Sequence, residues 1–265
     1  MDQYVVIGNP VGHSKSPYIH QQFASTCGQE MQYQTLLAPL DGFAETVRQF
    51  IAAGGRGANV TVPFKLEAFN LATELSPCAQ AAGAVNTLRF SDKGIYGDNT
   101  DGAGLVMDIC KNAGINLASK RILLLGAGGA ARGALLPLLK CQPRELVIAN
   151  RSIEKAQLLA QQFAEFGPIV SCELAQLAGA FDVVINATSA SLSEQIPAVP
   201  AHVFGPSCLA YDMMYADKPT RFMVFAREHG AIPRDGWGML VEQAAEAFYG
   251  WRGIRPDTTA LLAKV

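Results

Sequence analysis

The sequence predicts an α/β chain of two domains, the first with a mixed sheet and the second with a parallel one. Three observations carry that expectation. The first hundred residues alternate strand and helix signals and include a hairpin pattern. A second alternating series starts at the apolar run Ile122-Leu123-Leu124-Leu125, which meets the small-residue loop Gly126-Ala127-Gly128-Gly129-Ala130-Ala131. An apolar helical stretch follows Gly236-Trp237-Gly238 and is expected to cross back to the first domain. The expected division is 1–101 with 238–265, and 102–237.

In chain order, strands are expected over 4–7, 32–37 and 58–62, with Pro63 ending the third. Helices are expected over 17–26 and 43–53, and a hairpin over 84–90 and 94–96. Leu105, Val106, Ile109 and Ala113 recur at helical spacing, so 101–113 reads as a connecting helix stopped by Gly114. The second series continues with a helix after Gly129, a strand over 146–149 and a helix over 153–166 capped by Ser152. Strands over 183–185 and 209–211 come next, then the final helix over 239–249. Pro137 lacks an amide proton, which predicts a kink or an early helix end near Leu136.

The chain has 265 residues, 49% hydrophobic and 17% charged, with a net charge of -2 and no basic run. That balance excludes an electrostatic footprint for nucleic acid or an anionic membrane. The six cysteines show no metal-ligand spacing and suit a reduced, cytoplasmic compartment.

The loop at 126–131 fits G-x-G-x-x-A between a strand and a helix, the phosphate-binding turn of a Rossmann-type domain. About twenty residues on, a site built for NAD carries an acid that binds the ribose hydroxyls. Here the strand ends in Asn150-Arg151-Ser152. A guanidinium offers paired donors to the 2′-phosphate of NADP, and Lys155 adds a second positive charge one turn later. An NADP site implies redox chemistry, which needs a proton donor for the reacting oxygen.

Three polar clusters outside the nucleotide loop qualify. Gly12-His13-Ser14-Lys15-Ser16-Pro17 presents two hydroxyls at a helix start, suited to a carboxylate, or else a plain cap at Ser16. Asn59-Val60-Thr61-Val62-Pro63-Phe64-Lys65 places Asn59 and Thr61 on one side of a strand, with the Lys65 ammonium at the turn beyond. Gly97-Asp98-Asn99-Thr100-Asp101-Gly102 sets Asp101 at the start of the connecting helix, as a cap or as an acid beside Lys65.

Together with Gly83-Ala84-Val85-Asn86-Thr87, Asn186-Ala187-Thr188-Ser189 and Tyr211-Asp212-Met213-Met214-Tyr215, these motifs make the chain resemble the shikimate dehydrogenase family nearly end to end. The resemblance implies reversible NADPH-dependent reduction of 3-dehydroshikimate to shikimate, on the way to chorismate and the aromatic amino acids. It implies Lys65 and Asp101 as the catalytic pair, with Ser14 and Ser16 on the substrate carboxylate. Asn59, Thr61, Asn86, Asp101 and Gln243 would bind the ring oxygens, and Tyr211 would close the pocket. Gly126, Ala127, Gly128, Gly129, Ala130 and Ala131 would take the pyrophosphate, and Asn150, Arg151, Ser152 and Lys155 the adenosine phosphate. Thr188, Met213 and Gly236 would line the nicotinamide. No metal is implied. Two positions depart from the family pattern: Pro77 replaces an acid near the nicotinamide, and Ser191 replaces a glycine.

Two other readings stand beside this one, a broader quinate/shikimate dehydrogenase and a non-catalytic NADP-binding regulator. Arg151 speaks against the first, whose members often use NAD. The presence of both Lys65 and Asp101 speaks against the second. The sequence leaves monomer and homodimer equally open.

Overall fold

A computed structural model describes residues 1–190 and 195–263, and the chain divides into two compact units, Met1–Gly104 with Leu240–Val265, and Leu105–Met239. The first unit begins with β1 (Asp2–Gly8), α1 (Ser16–Thr26), β2 (Met31–Leu37), α2 (Phe43–Ala52) and β3 (Gly55–Val60). It continues with α3 (Lys65–Leu71), β4 (Glu74–Leu75), α4 (Pro77–Ala82), β5 (Thr87–Ser91) and β6 (Gly94–Asp98). Its sheet runs β2-β1-β3-β5-β6-β4. β1 is parallel to β2 and β3, whereas β5 is antiparallel to β3 and β6, giving the expected mixed sheet. The consecutive buried residues Tyr4–Gly8 mark β1 as a central strand covered on both faces. Its Ile7 lies in the core with Val47, Phe64 and Leu88.

The short elements α3, β4 and α4 carry no periodic signal in the sequence, because lengths of 7, 2 and 6 residues are too few to establish one. The termini of α4 are nonetheless written locally. Ser76 Oγ accepts the Ala79 amide at 3.0 Å, Pro77 starts the helix, and Gly83 ends it at φ 60°.

Next comes α5 (Asp101–Met107), which widens into a π-helical turn at Asp108–Asn112, so the helix expected over 101–113 is not regular throughout. The second unit contains β7 (Arg121–Leu125), α6 (Gly129–Lys140), β8 (Glu145–Ala149), α7 (Ile153–Phe163), β9 (Ile169–Cys172) and β10 (Phe181–Asn186). It closes with β11 (Phe204–Asp212), α8 (Arg221–Glu228) and β12 (Ile232–Arg234). The strand order β12-β11-β10-β7-β8-β9 with parallel pairing throughout is the doubly wound dinucleotide-binding arrangement. Its winding reverses between β7 and β10.

Pro137 does not end α6, which continues to Lys140. Burial of Leu135, Leu136, Leu138 and Leu139 around it holds the helix through the missing amide bond. α9 (Trp237–Arg252) and α10 (Thr259–Leu262) complete the chain. From Leu240 on, α9 belongs to the first unit, where Trp251 stacks on Tyr4 at 4.7 Å and donates to the Leu88 carbonyl at 2.9 Å. Among the described residues, no helix is long and apolar enough to cross a membrane.

His20 on α1 is wholly buried among Phe23, Tyr33, Phe248 and Trp251, and neither ring nitrogen has a hydrogen-bond partner. Burial pushes its pKa from 6.5 down to about 3, against a weaker upward pull from Asn59. The unfolded chain therefore takes up a proton between pH 6.5 and about 3 that the folded chain refuses, and stability falls as pH drops through that range. Replacing His20 with Phe should remove about one proton from the uptake on unfolding near pH 5. Urea midpoints of both proteins at pH 7 and pH 5 test this: equal losses on acidification would show that His20 is not the group involved.

Candidate active site

In the first unit, polar side chains converge from the ends of β3, α3, β5 and α5 and from the middle of α9. Lys65 opens α3, and its ammonium donates to Asp101 Oδ2 at 2.5 Å; the two side chains are 32% and 12% exposed. Asp101 Oδ1 accepts from Asn86 Nδ2 at 2.9 Å, and the same nitrogen lies 2.9 Å from Gln243 Oε1. The backbone amide of Thr100 donates to Asn86 Oδ1 at 2.9 Å. Because a backbone amide only donates, this contact fixes which end of the Asn86 side chain is oxygen.

Asn59, at the end of β3, donates to Thr87 Oγ1 at 3.0 Å and accepts from the Tyr33 hydroxyl at 2.7 Å. Thus Lys65, Asp101, Asn86, Gln243 and Asn59 form one connected group, although up to 157 positions separate hydrogen-bonded partners. Ser14 Oγ accepts the Ser16 amide at 3.2 Å, and Ser16 is buried in the first turn of α1. The cap position of α1 is Lys15, with no side-chain bond, so Ser16 does not cap the helix. Thr61 is half-buried just beyond β3. A Cβ at Gly8 would come 2.5 Å from its methyl, so the glycine is what admits Thr61 there.

In the second unit, the 126–131 loop leads from β7 into α6. Gly126 has φ 107°, and a Cβ there would stand 3.1 Å from the Ala187 carbonyl. Around Gly128 and Gly129 an added Cβ meets nothing within 4 Å. α6 has no side-chain cap and no acid in its first turn, so its leading amides are open to an anion. Ala130 is exposed, whereas Ala131 is buried and brings α6 close to the sheet.

After β8, Asn150 Nδ2 donates to the Ser152 carbonyl at 2.8 Å and shapes the turn. Arg151 is exposed and forms no ion pair among the described residues. It lines an open cavity of about 380 Å³ together with Asn150, Glu154, Glu173 and Leu174. Ser152 stands at the expected N-cap position of α7, but its hydroxyl is given to Glu154 at 2.7 Å rather than accepting a helix amide. Lys155 is exposed.

Thr188, Met213 and Gly236 gather beyond the carboxyl ends of β10, β11 and β12. Asn186 Oδ1 accepts the Thr188 hydroxyl at 2.7 Å, its carbonyl accepts the Met213 amide at 3.0 Å, and Gly236 N–H donates to Met214 O at 2.9 Å. A Cβ at Gly236 would collide with the Met213 carbonyl.

Tyr211 departs from its expected place in a substrate pocket. The side chain is 0% exposed, and its hydroxyl donates to Asp108 Oδ2 at 2.8 Å. Asp108 is itself buried and receives Arg234 through Nε at 2.7 Å and Nη2 at 2.6 Å. Burial, reinforced by Asp108, pushes the Tyr211 pKa well up, so its proton stays. Four residues on, Tyr215 is the half-exposed phenol of the same motif, its ring edge-on to Trp237 at 6.1 Å. Sequence reading also missed Thr87, Thr100 and Tyr33; the first two lay in quoted motifs, whereas nothing marked Tyr33. Ser191 lies outside the described residues. Pro77 begins α4.

Family models match three stretches: "Shikimate dehydrogenase substrate binding domain" at residues 6–88, "Shikimate / quinate 5-dehydrogenase" at 108–195 and "Shikimate 5'-dehydrogenase C-terminal domain" at 236–265. The chain is 58% identical over its full length to shikimate dehydrogenase (NADP(+)) of Herminiimonas arsenicoxydans, covering 97% of that protein. The chain belongs to the shikimate dehydrogenase family. Among solved structures, an Ael1 enzyme from Pseudomonas putida superposes with TM-score 0.95 at 48% identity, covering 100% of this chain and 98% of that one. Shikimate 5-dehydrogenase from Thermus thermophilus, in complex with NADP(H) and shikimate, gives 0.86 at 32% identity, covering 98% and 97%. The family's substrate-domain match ends at residue 88, so it includes Lys65, Asn59, Asn86 and both serines.

Proposed function

We propose that the chain is an NADP-dependent shikimate dehydrogenase, with Lys65 and Asp101 as its catalytic pair. The observation that carries this reading is the 2.5 Å contact between them, embedded in amides able to bind hydroxyls. The first unit binds the substrate and the second NADP. Ser14 and Ser16 hold the carboxylate, and Asn59, Thr61, Asn86, Asp101 and Gln243 orient the ring oxygens. Tyr211 is withdrawn from this set because its hydroxyl is buried and committed, and Tyr215 takes its place.

On the cofactor side, the amides of the 126–131 loop take the pyrophosphate. Asn150, Arg151 and Lys155 receive the adenosine phosphate, with Ser152 shaping the turn. Thr188, Met213 and Gly236 face the nicotinamide. NADPH, when bound, supplies the hydride. The Lys65 ammonium then gives its proton to the C3 oxygen as the carbonyl becomes a hydroxyl, and takes it back in the oxidative direction. Asp101 holds that ammonium in place. All six cysteines are free, in keeping with a reducing cytoplasmic compartment.

The deciding experiment is cofactor reduction by the purified protein with shikimate or quinate, each with NADP or NAD. Turnover should be confined largely to shikimate with NADP. Comparable rates with quinate or NAD would make it a broader dehydrogenase, and NADP binding without turnover a regulator. Lys65→Ala should lower kcat by about 10² to 10⁴-fold while leaving the KM for shikimate within about twofold; turnover like the wild type removes Lys65 from the mechanism. Arg151→Ala should raise the KM for NADP by about 10- to 100-fold with little effect on NAD. Equal losses for the two cofactors would put the 2′-phosphate elsewhere.

A further inference from the structure

We propose that Tyr33 is a positioning residue for the substrate site, setting the orientation of Asn59 and, through Thr87, that of Asn86. The inference rests on the functional reading above, in which both asparagines bind ring oxygens.

Donors and acceptors decide the orientation. Asn59 Nδ2 faces the main-chain carbonyl of Asn86 at 3.3 Å and Thr87 Oγ1 at 3.0 Å. A carbonyl only accepts, so that end of the Asn59 amide is nitrogen and the opposite end is oxygen. The group facing that oxygen must therefore donate, and it is the Tyr33 hydroxyl at 2.7 Å. Thr87, accepting from Asn59, has its own proton free for Asn86 Oδ1 at 2.9 Å. The Thr100 amide donates to the same oxygen, which turns Asn86 Nδ2 toward Asp101. Donation thus runs in one direction, from Tyr33 through Asn59, Thr87 and Asn86 to the carboxylate that holds Lys65. Bonds in such a series polarise one another.

Tyr33 is well placed to anchor the series. Its ring stacks on the buried His20 at 4.2 Å and 10°, which fixes the phenol plane. His20 lies one turn of α1 beyond Ser16, on the helix whose start carries the serine assigned to the carboxylate. The hydroxyl of Tyr33 faces the amide assigned to the ring oxygens. Without it, Asn59 Oδ1 loses the contact that holds that end of the amide.

Tyr33→Phe keeps the ring stack and removes only the hydroxyl. The KM for shikimate should rise by about 5- to 20-fold, with kcat within about threefold and the KM for NADP unchanged. In an Asn59→Ala background the same substitution should cost nothing further, because its effect passes through Asn59. A KM like the wild type in Tyr33→Phe, or equal losses in both backgrounds, overturns the proposal. The side-chain amide resonances of Asn59 and Asn86 give a readout without substrate: both should shift in Tyr33→Phe, and unchanged resonances overturn the inference whatever the protein turns over. A wild-type protein inactive on shikimate would instead count against the functional reading.

Discussion

The Asn86 side chain is the contact on which the first unit's polar site depends. Its oxygen accepts a backbone amide and a threonine hydroxyl, and its nitrogen faces a carboxylate and a glutamine carbonyl. One amide, just ahead of β5, thus joins that strand to the start of α5 and to α9. At 2% exposure it has little water to replace a lost partner, so each neighbour must present the correct polarity. Asp101 is consequently held on both oxygens, by Asn86 on one and Lys65 on the other.

The second unit solves a different problem, leaving backbone donors bare at a place the fold makes concave. Reversal of winding between β7 and β10 opens a crevice at the carboxyl ends of the strands. Small residues keep it open: Gly126 permits the turn at positive φ, and Gly236 lets its chain pass against Met213. The buried Asp108 uses Tyr211, Arg234 and Asn112 as partners and ties the π-helical turn to β11 and β12. A Cβ at Gly238 would overlap that carboxylate, which accounts for the second glycine of Gly236-Trp237-Gly238.

Much of this was legible before the fold was known, because its signals are local. The G-x-G-x-x-A loop, Arg151 at the end of the next strand, and the strand and helix periods all lie within windows of about twenty residues. Misreadings arose where neighbours distant in sequence decide. Tyr211 and Tyr215 share one motif, yet only packing shows that the first phenol is closed off by Asp108, 103 positions earlier. Pro137 obeyed burial over propensity.

The sequence by itself determined the two-part α/β architecture, the parallel sheet with its phosphate loop, and the residue types available for proton transfer. Those depend on backbone conformation and side-chain period, which a short segment specifies alone. Only the tertiary structure decided which hydroxyls remain free and which way each buried amide points. Those are fixed by matching donors to acceptors across strands far apart in the chain, such as Tyr33 with Asn59 and Asn86 with Gln243.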